Sequence, residues 1–478
     1  MRPERRPVSE VWTALGSRFL PFADAASDTL PLGRLLRLSL FQVSVGMAMV
    51  LLTGTLNRVM IVEMGMPAWL VGLMVALPLV FAPLRALIGH RSDNHKSVLG
   101  WRRGPYIWFG SMFQFGGLAL MPFALILLSG DSTGPAWVGP AGAAAAFLLV
   151  GAGIHITQTA GLALASDLST DDTRPRVVAL LYIMLLAGML VSSIVFGWLL
   201  RDFNTMTLIQ VIQGAAVVTM VLNLAALWKQ ETRNRALTDP ARPRPAFQDT
   251  WRRLIGDGTT ARLLVASGLG VAAFSMQDVL LEPYGAEMLG MSVSETTRLT
   301  ALWSFGALLG FGLCSRQLSR GGEPHRLAGL GAVAGVIAFA LIILAEPAGI
   351  MGAFLLGAFL IGFGGGLFSV GTLTAMMAIA RRHESGIALG AWGAVTATAT
   401  GVAVFLGGAL RDVINRLGAE GYLGAAFAGP AAGYTTVYVL EIILLFATLA
   451  VVGPLARHSL ATSQSQQAAK FGLAAYPG

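Results

Sequence analysis

The sequence predicts an all-α membrane protein of twelve transmembrane helices in two six-helix halves. Three observations carry the prediction: charge is sparse, apolar runs of membrane length recur, and one polar stretch divides them. Of the 478 residues, 55% are hydrophobic and 12% charged, against roughly 25% charged in a soluble globular chain. Apolar runs follow one another from Leu36 to Leu455, each close to the about 20 residues that cross roughly 30 Å of hydrocarbon. Lipid offers backbone amides and carbonyls no partner, so each run must pair its own groups as a helix.

Bounded by charge, Gly or Pro, the first six spans are expected near 36–62, 67–88, 105–129, 141–166, 177–200 and 205–228. Six more follow near 261–286, 295–315, 326–345, 349–380, 386–410 and 433–456. The organisation is then an N-terminal segment 1–34, a bundle 35–228, a Pro- and Arg-rich linker 229–260, a second bundle 261–456 and a tail 457–478. The N-terminal segment has no apolar core before Leu35 and so does not read as a cleavable signal. Its stretch Val11–Phe22 is modestly amphipathic, as for a segment lying along a membrane interface. Arg58, Arg201, Arg298, Arg411 and Arg416 fall on one side, and the other 28 of 33 basic residues fall with the N-terminus and the linker. The positive-inside rule puts both termini in the cytoplasm.

The same distribution excludes nucleic acid as a partner. The net charge of +8 is spread over short loops and gathers on no single face. The one cysteine, Cys314, lies in an apolar run, which excludes a disulfide framework or a Cys-based metal site. P-loop, dinucleotide and His-rich zinc patterns are missing from the sequence, so no enzyme is expected.

A duplicated six-helix unit leaves internal similarity. Aligned without a gap, Gly161–Asp202 and Gly371–Asp412 match spans four and five with ten and eleven. Both copies end in Gly-x-x-Leu-Arg-Asp, at Gly197–Asp202 and Gly407–Asp412. Glycines four apart, such as Gly306 with Gly310, read as close helix packing.

Two groups of polar residues stand out. The loop from Gly89 to Tyr106 resembles the signature loop of major facilitators, in which a Gly, an Asp and following basic residues brace neighbouring helix ends. Gly89, Asp93, Arg102 and Arg103 would fill those roles, with the carboxylate pairing an arginine and exposed helix amides. The equivalent loop, Ser315–Arg326, keeps basic residues without the Asp. At membrane depth, where polar groups are costly and default to function, span four carries His155, Gln158 and Thr159. Span seven carries Gln277, Asp278, Glu282 and Tyr284. His155 and Thr159 share a helix face by spacing, as do Asp278 and Glu282. These residues form a candidate pigment or substrate pathway. His155 can serve either as an interhelical hydrogen-bond partner or as an axial ligand to a pigment magnesium. Asp278 and Glu282 suit a proton relay, with Glu441 and Glu63 as further candidates, and Glu63 within reach of Arg58.

Several strings resemble a particular family: GHRSD (89–93), LGWRRGPYIW (99–108), QFGGLALMPFAL (114–125), QTAGLALASD (158–167), RPRVVALLY (174–182) and MQDVLLEPYG (276–285). They are similar to the PucC/LhaA family, major-facilitator relatives of phototrophic bacteria described as bacteriochlorophyll-delivery and light-harvesting assembly factors. The resemblance runs from about Leu35 to Pro454. It implies help with insertion and oligomerisation of antenna α and β polypeptides, with bacteriochlorophyll as the pigment handled. It further implies reaction-centre, pigment-synthesis or translocon proteins as neighbours and the bacterial inner, intracytoplasmic membrane as the location. The Arg-rich N-terminal lead looks more like the LhaA members, which serve light-harvesting 1, than the PucC members. From the residues alone, a proton-coupled secondary transporter of a small solute remains the alternative.

Overall fold

The computed structural model describes residues 30–80, 88, 92, 95, 100–128, 135, 137–169, 174–232, 258–320, 322–380 and 385–470. Among them every regular element is a helix. In chain order these are α1 (Leu32–Glu63), α2 (Ala68–Val80), α3 (Gly104–Leu128), α4 (Val138–Leu168), α5 (Arg174–Leu199) and α6 (Thr205–Leu227). There follow α7a (Gly258–Ser275), α7b (Leu281–Leu289), α8 (Val293–Ser319), α9 (Pro324–Ala348), α10 (Met351–Ala380), α11 (Ser385–Ala419) and α12 (Ala431–Lys470). Among the described residues, eleven helical segments are long and apolar enough to cross a membrane, and α2, described as far as Val80, supplies a shorter apolar one.

The chain divides into two compact units, the first of Met1–Gly65, Leu77–Pro243 and Ser292–Ala301, the second of Met66–Ala76, Arg244–Met291 and Leu302–Gly478. Each unit thus takes the first turns of one helix from the other half of the sequence. In the first unit α3 packs along α4, α1 along α5 and α6, and α3 along α6. In the second, α9 packs along α10, α7a along α11 and α12, and α9 along α12. Every pairing recurs six helices later, which is the duplication that the Gly-x-x-Leu-Arg-Asp repeat marks.

Both cores are assembled from small-on-large contacts. In the first unit Phe41 of α1 lies against Gly161 of α4, inside a cluster with Leu38, Leu164, Val177 and Leu181. In the second, a Cβ on Gly362 would lie 1.9 Å from the Trp303 carbonyl oxygen. Only glycine there lets α10 approach α8 so closely.

Two spans depart from a regular helix. α1 passes through π-helical turns at Val50–Thr55 and Val59–Glu63, a feature frequent at functional positions. Arg58 lies inside this span, 5% exposed and paired with Glu63. The seventh span, expected as one helix over 261–286, is broken: a 3₁₀ turn at Met276–Val279 separates α7a from α7b.

Candidate functional site

One end of the first unit is closed by a network of arginines and carboxylates. Gly100 has φ +78°, a conformation open to glycine at little cost, and the chain then enters α3 through Arg102 and Arg103. Helices start with unpaired amides, and here Glu231 takes them. Its carboxylate accepts from the amides of Arg102 (2.6 Å), Arg103 (2.9 Å) and Gly104 (2.6 Å). A carboxylate at a helix N-terminus is favoured by both hydrogen bonding and the helix dipole. The two arginine side chains turn to the end of α4, where Asp167 Oδ2 lies 2.6 Å from Arg102 Nη2 and 3.1 Å from Arg103 Nε. Arg103 also donates to Ser92 Oγ at 2.5 Å. Gln230, next to Glu231, is tied to α1 through Arg34: Arg34 Nε donates to Gln230 Oε1 at 3.0 Å, and Gln230 Nε2 to the Arg34 carbonyl at 3.1 Å. A cavity of about 200 Å³ lined by Gly100, Arg102, Leu164, Asp167 and Glu231 opens beside the network.

Among the described residues, the arginines of the predicted brace are paired with Asp167 and Glu231. Gly89 and Asp93 lie outside the described residues. Asp167 and Glu231 do the pairing, and neither was singled out by sequence. Asp167 closes the QTAGLALASD string, a signal that could have found it. Glu231 opens what composition reads as a linker, and its role depends on a partner about 130 residues away. At the equivalent loop of the second unit, Glu323 supplies the acid. It caps α9 by accepting from the amides of His325 (3.1 Å) and Arg326 (2.7 Å), and its carboxylate also contacts the His325 ring.

At membrane depth, span four meets two neighbours. Gln158 donates to Gln42 of α1 at 3.4 Å. Thr157 and Gly153 press on Gly110 and Gln114 of α3 so closely that a Cβ on Gly153 would lie 2.4 Å from the Gln114 amide. His155 and Thr159 are half-buried and share the face their spacing predicts. Gln114, fully buried, is a polar residue that sequence reading passed over.

Span seven departs from expectation. Asp278 lies in the 3₁₀ turn and Glu282 in α7b, so the break removes the regular helix on which their shared face was inferred. The amide of Gln277 is taken by Glu441 Oε1 of α12 at 2.8 Å, and Gln277 Nε2 donates to Asp278 Oδ1 at 2.6 Å. Tyr284 is fully buried, its hydroxyl donating to the Ile342 carbonyl (3.3 Å) and its ring edge-on to Tyr434 and Tyr438 at 5.4 and 5.5 Å. Glu441, ranked behind Asp278 and Glu282 by sequence, is the acid that holds the break.

Repeated helix pairings of this kind define a membrane protein of the major-facilitator fold. The likeness extends to solved structures: a nucleoside transporter, NupG, superposes with TM-score 0.64 at 16% identity over 87% of this chain and 99% of that one. At that identity the likeness concerns the fold alone. The chain belongs to the PucC family, whose model, described as PUCC protein, matches residues 55–460. It is 56% identical to an uncharacterised protein of the puhA-bchM intergenic region of Rhodobacter capsulatus over 97% of this chain and 98% of that one. It is 53% identical to Protein PucC of Cereibacter sphaeroides over 95% and 98%. This family gives the chain a photosynthesis-related role in a bacterial membrane.

Proposed function

We propose that the protein is a non-enzymatic assembly factor for light-harvesting complexes, most closely tied to light-harvesting 1. In this reading it assists insertion and oligomerisation of antenna α and β polypeptides and hands on bacteriochlorophyll. It works in the intracytoplasmic membrane with both termini in the cytoplasm, beside reaction-centre, pigment-synthesis or translocon proteins. The observation that carries the reading is membership of the PucC family over most of the chain.

The pigment is cargo here, and the donor chemistry of span four suits it. A neutral imidazole supplies one nitrogen to magnesium, and His155 is half-buried rather than sealed in the core. Gln158, bonded to Gln42, would fix α4 against α1 and so set the direction of the imidazole. The Arg102–Asp167–Glu231 network would hold the ends of α3 and α4 while an apolar ligand enters between helices.

Gentle purification from phototrophic membranes, with an absorption spectrum and identification of the accompanying chains, tests the proposal. Bound bacteriochlorophyll with antenna polypeptides is expected, and His155→Ala should lower the pigment that accompanies folded protein. Unchanged pigment in the folded variant would remove His155 from the reading. The second reading, proton-coupled transport, draws on the broken seventh span and its acids. Colourless protein that moves a small solute across liposomes would favour it.

A further inference from the structure

The break in span seven is a built polar site inside the second unit, independent of any pigment. Glu441 is fully buried and makes no ion pair among the described residues. Its Oε1 accepts the Gln277 amide, while its Oε2 is buried without a hydrogen-bond partner among the described residues. Gln277 Oε1 and the Tyr438 hydroxyl, both buried, are likewise unpartnered. An isolated carboxylate in an apolar interior is costly, and the orphaned oxygens belong to residues that meet at the break: Gln277 is bonded to Glu441, and Tyr438 lies one turn before Glu441 on α12. Discontinuous membrane helices are used for cations because the break frees backbone carbonyls. At this break α11 is held against the Met276 carbonyl by Gly407, where a Cβ would lie 2.3 Å away.

We propose that this break binds a monovalent cation, a sodium ion or a proton, on Glu441 Oε2, with Gln277 Oε1 and Tyr438 Oη as neighbouring oxygens. The donors are all oxygen, which suits hard cations rather than soft metals. Asp278 from span seven and Tyr438 from α12 face Glu441, and Glu282 and Tyr284 of α7b and Tyr434 of α12 face Tyr438. Arg411 of α11 is directed elsewhere: it pairs with Glu287 and lies over the Tyr434 ring at 4.7 Å. Asp278 already accepts from Gln277 Nε2. An ionised Glu441 carries one negative charge, which a single bound cation balances. Occupancy would pin α12 to the 3₁₀ turn, and loss of the cation would loosen α7b from α12.

The test uses the full chain purified in detergent and exchanged into choline chloride. A ligand that binds only the folded state raises the melting temperature saturably. Addition of NaCl or LiCl at constant pH and ionic strength is expected to do so beyond KCl if sodium is the ligand. If the proton is the ligand, the melting temperature in choline falls as pH rises and does not respond to sodium. In either case Glu441→Gln should weaken the response roughly tenfold or more, whereas Glu420→Gln, at an exposed pair with Arg416, leaves it intact. Should Glu441→Gln fail to fold, Tyr438→Phe removes one oxygen while keeping the ring, and a weakened response in it carries the same conclusion. Wild-type protein indifferent to sodium and pH, or variants that respond as wild type does, would overturn the proposal.

Discussion

The same six-residue pattern closes α5 and lies about two turns before the end of α11, and the two copies do different work. In the first unit Gly197 packs against Arg298 and its carbonyl accepts from Ser294 at the start of α8, while Arg201 and Asp202 stay exposed. In the second unit Gly408 packs against the Ala68 carbonyl at the start of α2. There Arg411 joins Glu287 (2.7 Å) and Asp412 (2.9 Å), and Asp412 Oδ2 accepts the Trp69 amide at 2.8 Å. The difference follows from how each neighbouring helix begins. α8 brings its own cap, since Glu295 accepts from the Ser292 amide and hydroxyl at 2.8 Å. α2 begins Gly-Met-Pro-Ala-Trp with no capping side chain of its own, so an acid from α11 fills the place. Duplication supplied the motif twice, and local capping decided where it is needed.

Arg411→Ala should cost most, about 2–3 kcal/mol, because it leaves Glu287 and Asp412 partly buried without their cation. Thermal unfolding in detergent would show it as the largest fall in midpoint among these variants. Asp412→Ala removes the cap of α2 and should cost about 1–2 kcal/mol, whereas Asp202→Ala should stay within about 0.5 kcal/mol. Equal losses at the two aspartates would break the distinction between the copies. Glu295→Ala, which removes the cap that α8 makes for itself, is expected to cost about 1 kcal/mol. Restoring a Ser–Glu cap before α2 should in turn soften the effect of Asp412→Ala.

The smallest effect is a pH dependence at the start of α9. Burial opposes ionisation of Glu323, but hydrogen bonds from the His325 ring and from the amides of His325 and Arg326 outweigh it and hold the carboxyl below its ordinary value of 4.5. A carboxyl lowered in the folded state contributes stability that is present above pH 4.5 and is lost as pH falls through the folded-state value. Glu323→Gln should remove this acid-limb loss, read as melting midpoint against pH between neutral and acid. An unchanged acid limb would show that other groups govern it.

Much of the fold was legible because lipid imposes a local rule: each span must be apolar and must satisfy its own backbone. Expected and observed ends agree within about a turn for α3, α4, α5, α6 and α10. The candidate sites were less legible. Arg102 and Arg103 announced themselves as a charged pair, but their acids come from the far end of α4 and from a residue that composition assigns to a linker. Asp278 and Glu282 were placed on one face by helical arithmetic, which fails where the helix is interrupted. Pro283 marks the interruption locally, because it has no amide to donate to the Val279 carbonyl, but the Gln277 amide at the break is satisfied by Glu441, 164 residues later.

The sequence by itself determined that this is an all-α membrane protein with a duplicated body, because hydropathy and repetition are written in consecutive residues. The tertiary structure alone decided which acids meet which arginines, which copy of the repeated motif caps a helix, and which acid takes the amide where span seven opens. Those outcomes depend on hydrogen-bond partners brought together from distant segments, and a buried polar group is stabilised only by the partner that packing delivers to it.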